Sequence, residues 1–341
     1  MTMNSERVPV RYGYKASAEQ FPPRLLLDYS VEAERLGFEI VAVSDHFQPW
    51  RHHGGHAPMS MVWLAALGQA TERVTLTTSV LTPTLRYHPS VVAQAFATMA
   101  CLNPGRVVLG IGTGEAMNET PAIGIEWPKF KERSERLRES VELMRRLWTE
   151  ERVTFEGKYY RTARATIYDR PEQPVPIYIA AGGPKAAAMV GEIGDGFIVT
   201  SGKGEELYHN LLGAMAEGAT GAGRDPAALR KYIEVKVSYD HDPVYAKEAC
   251  APWAALALTA EEKGGTEDPL QMEKLAEGAK DRAHTRFIVS SDPDEVVEQI
   301  AFYVDLGFTE LVFHFPSEDQ HRQLSQFAAD VLPRLRVRFN S

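Results

Sequence analysis

Short apolar, β-branched runs alternate with longer amphipathic stretches along this chain, and the alternation repeats eight times. The runs are Val10–Ala16, Ile40–Asp45, Val74–Leu81, Val107–Gly112, Pro176–Ala181, Phe197–Ser201, Ile233–Tyr239 and Leu311–His314. Runs of this kind suit strands buried on both faces. The stretches between them read as helices. Pro22–Leu36 has proline near its start and Gly37 beyond its end, the expected asymmetry of a helix. Met59–Ala70 and Pro89–Leu102 are apolar helices. Lys131–Trp148 sets Glu132, Arg133, Glu135, Arg136 and Arg138 among Leu137, Val141, Leu143 and Met144. Pro184–Ile193, Glu205–Ala216, Asp294–Leu306 and Gln320–Leu335 complete the set. Strict strand-then-helix order predicts a parallel sheet with right-handed crossovers. Eight such units predict an α/β fold of the (β/α)8 TIM-barrel type, with an open doubly wound sheet as the alternative.

Two inserts break the rhythm. Val153–Arg161 reads as a hairpin turning near Gly157, and Asp240–Arg286 is a long Gly- and charge-rich stretch with a helical piece around Met272–Ala279. No linker, tandem repeat or low-complexity tract divides the chain, so residues 1–341 are expected to form a single barrel domain carrying 240–286 as an insertion.

Composition narrows the function classes. Acidic residues outnumber basic ones, 46 to 37, and the net charge of −9 argues against broad binding of a nucleic-acid backbone. An anionic ligand would therefore need a local basic pocket. Two cysteines in no CxxC pattern argue against a disulfide scaffold or a thiolate zinc site. The polar Met1–Val8 lacks the apolar centre of a signal peptide, and no run approaches the ~18 apolar residues of a membrane helix. A soluble, cytoplasmic protein is the expectation.

In a barrel, ligand chemistry gathers where strands end. Here those ends are polar or Gly-rich: Ser44-Asp45-His46, Thr77-Thr78-Ser79-Val80-Leu81-Thr82, Gly112-Thr113-Gly114-Glu115, Ala180-Ala181-Gly182-Gly183, Thr200-Ser201-Gly202-Lys203 and His314. Asp45-His46 offers an acid–base site, against the plainer reading of a histidine satisfied by backbone. His52, His53 and His56 beside Arg51 and Gly54-Gly55 read as a surface loop rather than a metal site, and no metal is expected. Gly110-Ile111-Gly112-Thr113-Gly114-Glu115 is a poor dinucleotide fingerprint, because its third glycine comes one residue early and the next clear helix starts around Lys131. It reads instead as a tight turn, or as backbone approaching a flat ligand with Glu115 aimed at it. Gly182-Gly183-Pro184 opens a helix after a strand, a place that favours phosphate or carboxylate. Thr200, Lys203, Lys263 and Arg286 together are candidates for the basic pocket.

These stretches also carry a family likeness. Tyr14-Lys15-Ala16-Ser17-Ala18-Glu19-Gln20-Phe21 and Val43-Ser44-Asp45-His46-Phe47-Gln48-Pro49-Trp50 closely resemble the actinobacterial F420-dependent glucose-6-phosphate dehydrogenases, bacterial-luciferase-like barrels. So do Thr78–Thr84, Gly112–Ala116, Ala180–Pro184 and Thr200–Tyr208, and the likeness runs from about Val10 to Leu335. The resemblance implies hydride transfer from C1 of glucose 6-phosphate to C5 of coenzyme F420. It implies that Asp45, Thr82, Thr113, Gly114, Asn118, Gly182 and Gly183 hold the deazaflavin and its tail, extended by Lys185 and Ala186. It implies a non-prolyl cis peptide at Ser79-Val80 behind the ring. His46 and Glu115 match the catalytic acid–base pair, Trp50 and Glu19 supporting positions near the sugar, and Thr200, Lys203, Lys263 and Arg286 the sugar-phosphate clamp. Family precedent implies a homodimer. The sequence departs from the pattern at Thr120–Ile123 and between Lys263 and Arg286, near the ligand mouth, which bears on selectivity among sugar 6-phosphates. His46 as base for the C1 hydroxyl and Glu115 as proton partner of the ring is one assignment; the reverse is open. Alternative readings are a dehydrogenase of another sugar 6-phosphate, a flavin-dependent monooxygenase on the same barrel, and a non-catalytic carrier.

Overall fold

A computed structural model describes residues 8–340. Its elements are, in order, β1 (Arg11–Ala16), α1 (Pro23–Arg35), β2 (Ile40–Val43), α2 (Ser60–Ala70), β3 (Thr75–Thr78), α3 (Pro89–Leu102), β4 (Val107–Ile111), α4 (Ala116–Ile123) and α5 (Phe130–Thr149). Then follow β5 (Val153–Glu156), β6 (Arg161–Ala165), β7 (Ile177–Ala180), α6 (Pro184–Ile193), β8 (Gly196–Thr200), α7 (Glu205–Gly221) and β9 (Arg230–Tyr239). The insertion holds α8 (Pro243–Glu248), α9 (Ala260–Lys263) and α10 (Pro269–Glu277), and the chain ends through β10 (Ile288–Ser290), α11 (Pro293–Asp305), β11 (Glu310–His314), α12 (Gln320–Asp330) and α13 (Leu332–Phe339).

Among the described residues, β1, β2, β3, β4, β7, β8, β9 and β11 pair in parallel. Because β9 pairs with both β8 and β11, and β11 with β1, the sheet closes on itself. The eightfold barrel expected from the hydrophobic rhythm is the observed fold, and the open sheet is not. Side chains alternate across each strand with period two. Tyr12, Tyr14, Val41, Val43, Leu109 and Ile111 point outward and pack against the helices, while Ile40, Ala42, Tyr178, Ile198, Tyr232 and Val312 fill the interior of the cylinder.

Three local readings change. A short helix, α4, follows Glu115 directly, where the pattern pointed to Lys131 as the next helix start. Pro121 inside it and its eight-residue length hid it from a periodicity argument. The stretch read as Gln320–Leu335 is two helices, because Pro333 at the start of α13 cannot donate to the preceding turn. The insertion is far more helical than its glycines suggested, adding 3-10 turns at Ala251–Ala257 and Lys280–Arg286 to its three α-helices. The hairpin is present as antiparallel β5 and β6. Among the described residues no helix is long and apolar enough to cross a membrane.

Candidate active site

The carboxyl ends of the barrel strands surround a cavity of about 430 Å³. Glu19, Asp45, His46, Trp50, Ser79, Val80, Thr82, Thr113, Gly114, Glu115, Asn118, Gly182, Thr200 and Lys203 line it. Gly183, Lys185 and Ala186 line an adjoining groove that shares Thr113 and Gly182 with the cavity. Lys263 and Arg286 line a second adjoining chamber of about 390 Å³, together with Thr200 and Trp50. Residues scattered over most of the chain thus meet at one rim. Lys203 stands in the main cavity rather than in the chamber of Lys263 and Arg286, so the basic residues are divided between two connected spaces.

The turn after β1 brings Glu19 beneath His46, with Glu19 Oε1 3.2 Å from His46 Nε2. Ser44 Oγ donates to the other carboxylate oxygen at 2.7 Å. Burial pushes the Glu19 carboxyl up, but His46, Lys15 and the Ser44 hydroxyl together outweigh it and hold the group below its ordinary range. An ionised carboxylate facing Nε2 favours the tautomer with the proton there. The lone pair then lies on Nδ1, a buried atom with no hydrogen-bond partner in the protein. His46 lines the cavity, so the carboxylate-paired imidazole stands where a ligand's proton could be exchanged.

Glu115 occupies the N-cap position of α4 without a capping hydrogen bond from its side chain. Trp50 Nε1 donates to its Oε2 at 3.3 Å, and Asn118 Nδ2 donates to the same oxygen at 3.0 Å. Asn118 Oδ1 accepts from the backbone N–H groups of Phe47 and Gln48, at 2.8 and 3.1 Å. One amide therefore ties the His46 loop to the Glu115 turn. The His46 and Trp50 rings lie 6.2 Å apart, and Lys263 Nζ sits 4.8 Å over the Trp50 ring. Burial pushes the Lys263 ammonium below its ordinary range; Glu115 opposes this and Arg286 adds to it.

Asp45 is held in place by three neighbours. Ser60 Oγ and Arg86 each donate to it at 2.6 Å, and Tyr87 OH donates at 3.4 Å. Arg86 also faces the buried Glu119 at 3.7 Å. The Ser79-Val80 peptide is cis, and Lys15 Nζ donates to the Ser79 carbonyl at 2.6 Å.

The residues present fit a flat ring with an acidic tail. At Gly112 a Cβ would meet Val80 Cγ2 at 2.9 Å, so any side chain there would crowd the wall beside the cis peptide. At Gly182 and Gly183 a Cβ would meet nothing within 4 Å, which leaves the first N–H groups of α6 open to the groove. On the opposite side, Arg286 Nε is buried and without a protein partner, consistent with a ligand acceptor in its chamber. Arg286 is placed by β10, which follows it and pairs with β9, and Lys263 by the Thr259–Glu262 capping box that starts α9. The histidines of the 52–56 loop take a different part: His53 Nδ1 pairs with Glu273 at 2.9 Å, and among the described residues no group of three or more His, Cys, Asp or Glu side chains is arranged to hold a metal ion.

Sequence reasoning missed Arg86, Glu119, Glu234 and Lys236. Nothing marked Arg86 or Glu119, since their partners are distant in sequence. Glu234 and Lys236 did leave a signal, two charges two residues apart among Ile233, Val235 and Val237 in the second half of β9.

Comparison with known proteins agrees with this geometry. The family model described as luciferase-like monooxygenase matches residues 6–310. The F420-dependent glucose-6-phosphate dehydrogenase of Intrasporangium calvum is 61% identical over 331 residues, covering 96% of this chain and 99% of the relative. That of Beutenbergia cavernae is 60% identical, covering 96% and 98%. Among solved structures, an F420-dependent secondary alcohol dehydrogenase in complex with an F420-acetone adduct superposes with a TM-score of 0.90 at 32% identity, covering 96% of this chain and all of that one. The coenzyme F420-dependent tetrahydromethanopterin reductase of Methanopyrus kandleri, at 22% identity and a TM-score of 0.80, shares the fold. A closed barrel, a histidine and a glutamate on one rim, and near-complete coverage by these relatives lead to one conclusion: the chain belongs to the luciferase-like family, in its branch of F420-dependent glucose-6-phosphate dehydrogenases.

Proposed function

We propose that this protein is an F420-dependent glucose-6-phosphate dehydrogenase, oxidising the C1 hydroxyl of glucose 6-phosphate to give 6-phosphogluconolactone and reduced F420. The observation that carries the reading is a single cavity lined by the His46–Glu19 pair and by Ser79 and Val80, which adjoins the chamber of Lys263 and Arg286 through Trp50 and Thr200. Bound F420 supplies the hydride acceptor, its ring carbon C5. Asp45, Ser79, Val80, Thr82, Thr113, Gly114 and Asn118 hold the ring, and Gly182, Gly183, Lys185 and Ala186 hold its tail. His46 takes the C1 hydroxyl proton, and Glu19 stabilises the imidazolium that forms. Glu115, held by Trp50 and Asn118, carries the second exchangeable proton on its carboxylate. Thr200, Lys203, Lys263 and Arg286 hold the 6-phosphate and fix the sugar in a reactive pose.

The direct test is loss of the oxidised coenzyme's visible absorbance when the purified protein meets a panel of sugar phosphates. Rapid loss with glucose 6-phosphate is expected; none with any member of the panel would overturn the reading. Lys263→Ala and Arg286→Ala should each raise KM roughly 10- to 100-fold, the worth of a hydrogen bond to a charged group, with a smaller change in kcat. Unchanged sugar-phosphate kinetics in either variant would remove that residue from the clamp. Asn118→Ala should lower kcat by about one order of magnitude, because the His46 loop and Glu115 lose their shared tether. The reading extends to a cytoplasmic homodimer of single barrel domains, with 240–286 as an insertion and no nucleic-acid partner. The acidic balance of the chain and the family precedent support this, and light scattering on the purified protein measures the oligomeric state.

A further inference from the structure

A set of buried titratable groups has no task in the mechanism above. Lys15, Glu234, Lys236 and His314 line the cavity from below, and all four are nine-tenths or more buried. Strand register explains the grouping. His314 pairs with Lys236 across β11 and β9, Tyr14 pairs with Phe313 across β1 and β11, and Glu234 lies two residues before Lys236 on the same inward face.

Burying charge is unfavourable unless each group is paired, and the pairing here is uneven. Glu234 Oε2 has Lys15 Nζ at 3.3 Å, and its Oε1 has His314 Nδ1 at 3.8 Å. Lys15 also donates to the Ser79 carbonyl. The Lys236 ammonium makes one long hydrogen bond, 3.5 Å to the Ser201 carbonyl, and among the described residues no carboxylate reaches it at ion-pair distance. His314 Nε2 is buried without a partner, on a ring that Trp253 meets edge-on with centroids 4.2 Å apart. An ammonium has three donors, and a neutral imidazole whose Nδ1 faces a carboxylate keeps an acceptor on Nε2. Burial holds the His314 ring neutral, pushing it down to about 4. The floor of the cavity therefore presents unsatisfied donors on Lys236 beside the acceptor oxygens of Glu234, with His314 packed behind them.

Their position along the cavity gives these groups a role. Glu234 and Lys236 line both the main cavity and the chamber of Lys263 and Arg286, so they stand between the His46 rim and the phosphate clamp. A sugar phosphate with C1 at His46 and its phosphate at the clamp must lay its ring across them. We infer that Glu234 and Lys236 form a hydroxyl-reading subsite that selects the sugar's ring configuration, Lys236 donating to and Glu234 accepting from hydroxyls between C1 and the phosphate-bearing carbon. The inference rests on the function proposed above. Each ring hydroxyl is both donor and acceptor, so a mixed floor of this kind suits neighbouring hydroxyls. A sugar lacking one of them leaves a buried polar group unpaired, which is the strongest form of rejection a binding site has.

The test compares kcat/KM for glucose 6-phosphate with its 3-deoxy and 4-deoxy analogues, in the wild type and in Lys236→Met. The wild type should favour the parent sugar over at least one analogue by roughly 10- to 100-fold. Lys236→Met should lose that preference, chiefly by becoming slower on the parent, while binding F420 as before. Glu234→Gln, of the same shape but uncharged, is the second variant, and it should lose preference at its own hydroxyl. Variants that fold, bind F420 and keep the wild-type preference overturn the subsite. Equal kcat/KM for parent and both analogues in the wild type overturns it without any variant. A wild type that reduces F420 with no sugar 6-phosphate overturns the functional reading itself, a result distinct from activity without discrimination.

Discussion

His46→Ala is expected to lose kcat by roughly 10²–10⁴-fold while keeping its affinity for F420. Loss of a hydride from C1 must be matched by loss of the hydroxyl proton. Among the candidates, His46 is the imidazole on the cavity wall, with the Glu19 carboxylate 3.2 Å from its Nε2 to stabilise the charge it gains. Alanine removes the base without disturbing the wall near Val80 or the groove before α6. Steady-state kinetics at saturating sugar, with equilibrium titration of the coenzyme, separate the two effects. A kcat near that of the wild type would end the assignment. Glu19→Gln should have a smaller effect of the same kind, since it removes the counter-charge and leaves the imidazole.

The largest effect on stability is expected from Arg86→Ala, at about 3–5 kcal/mol. The Asp45 and Glu119 side chains are essentially without solvent contact, and Arg86 is the cation that faces both. Truncation leaves two buried carboxylates around the space it vacated. The guanidinium also lies 4.6 Å over the Tyr87 ring, so packing is lost along with charge. Burial already raises the Glu119 carboxyl above its ordinary range, with the Arg86 backbone N–H and guanidinium opposing it. A carboxyl raised on folding contributes most below its unfolded pKa, and that contribution is lost as pH rises through the folded value. Without Arg86 the folded value climbs further. The variant's deficit should therefore be smallest in mild acid and grow toward neutral pH. Denaturant unfolding across that range measures it, and an equal deficit at every pH would show that the buried carboxylates are not its source. Because Asp45 borders the ring wall, weaker coenzyme binding should accompany the lost stability.

Parts of the site were legible because their signals are local. Ser44-Asp45-His46, Gly112-Thr113-Gly114-Glu115 and Gly182-Gly183-Pro184 each sit at a strand end, and the barrel rule assigns strand ends to one rim. The short helix after Glu115 was not legible, since eight residues with an internal proline show no clear period. Arg86 was not legible either: its partner Asp45 lies 41 positions away, and a lone arginine in a polar loop resembles any solvated charge. The basic residues of the 240–286 insertion could be named as candidates, but only the capping box at Thr259 and the pairing of β10 with β9 bring Lys263 and Arg286 into one chamber.

The alternation of strand-like runs with amphipathic helices was enough, by itself, to determine eight parallel strand–helix units and the strand ends at which chemistry gathers, because both are consequences of short-range pattern and chain connectivity. Closure into a barrel rather than an open sheet was decided by the pairing of β9 with β8 and β11. Tertiary structure decided what no short-range pattern encodes. It set the pairing of His46 with Glu19, how Asn118 ties two loops together, and how Lys15, Glu234, Lys236 and His314 meet on one floor. Those outcomes depend on strand register and on charges paired across the closed cylinder, and register is settled only when the whole sheet has wrapped and its two faces are buried.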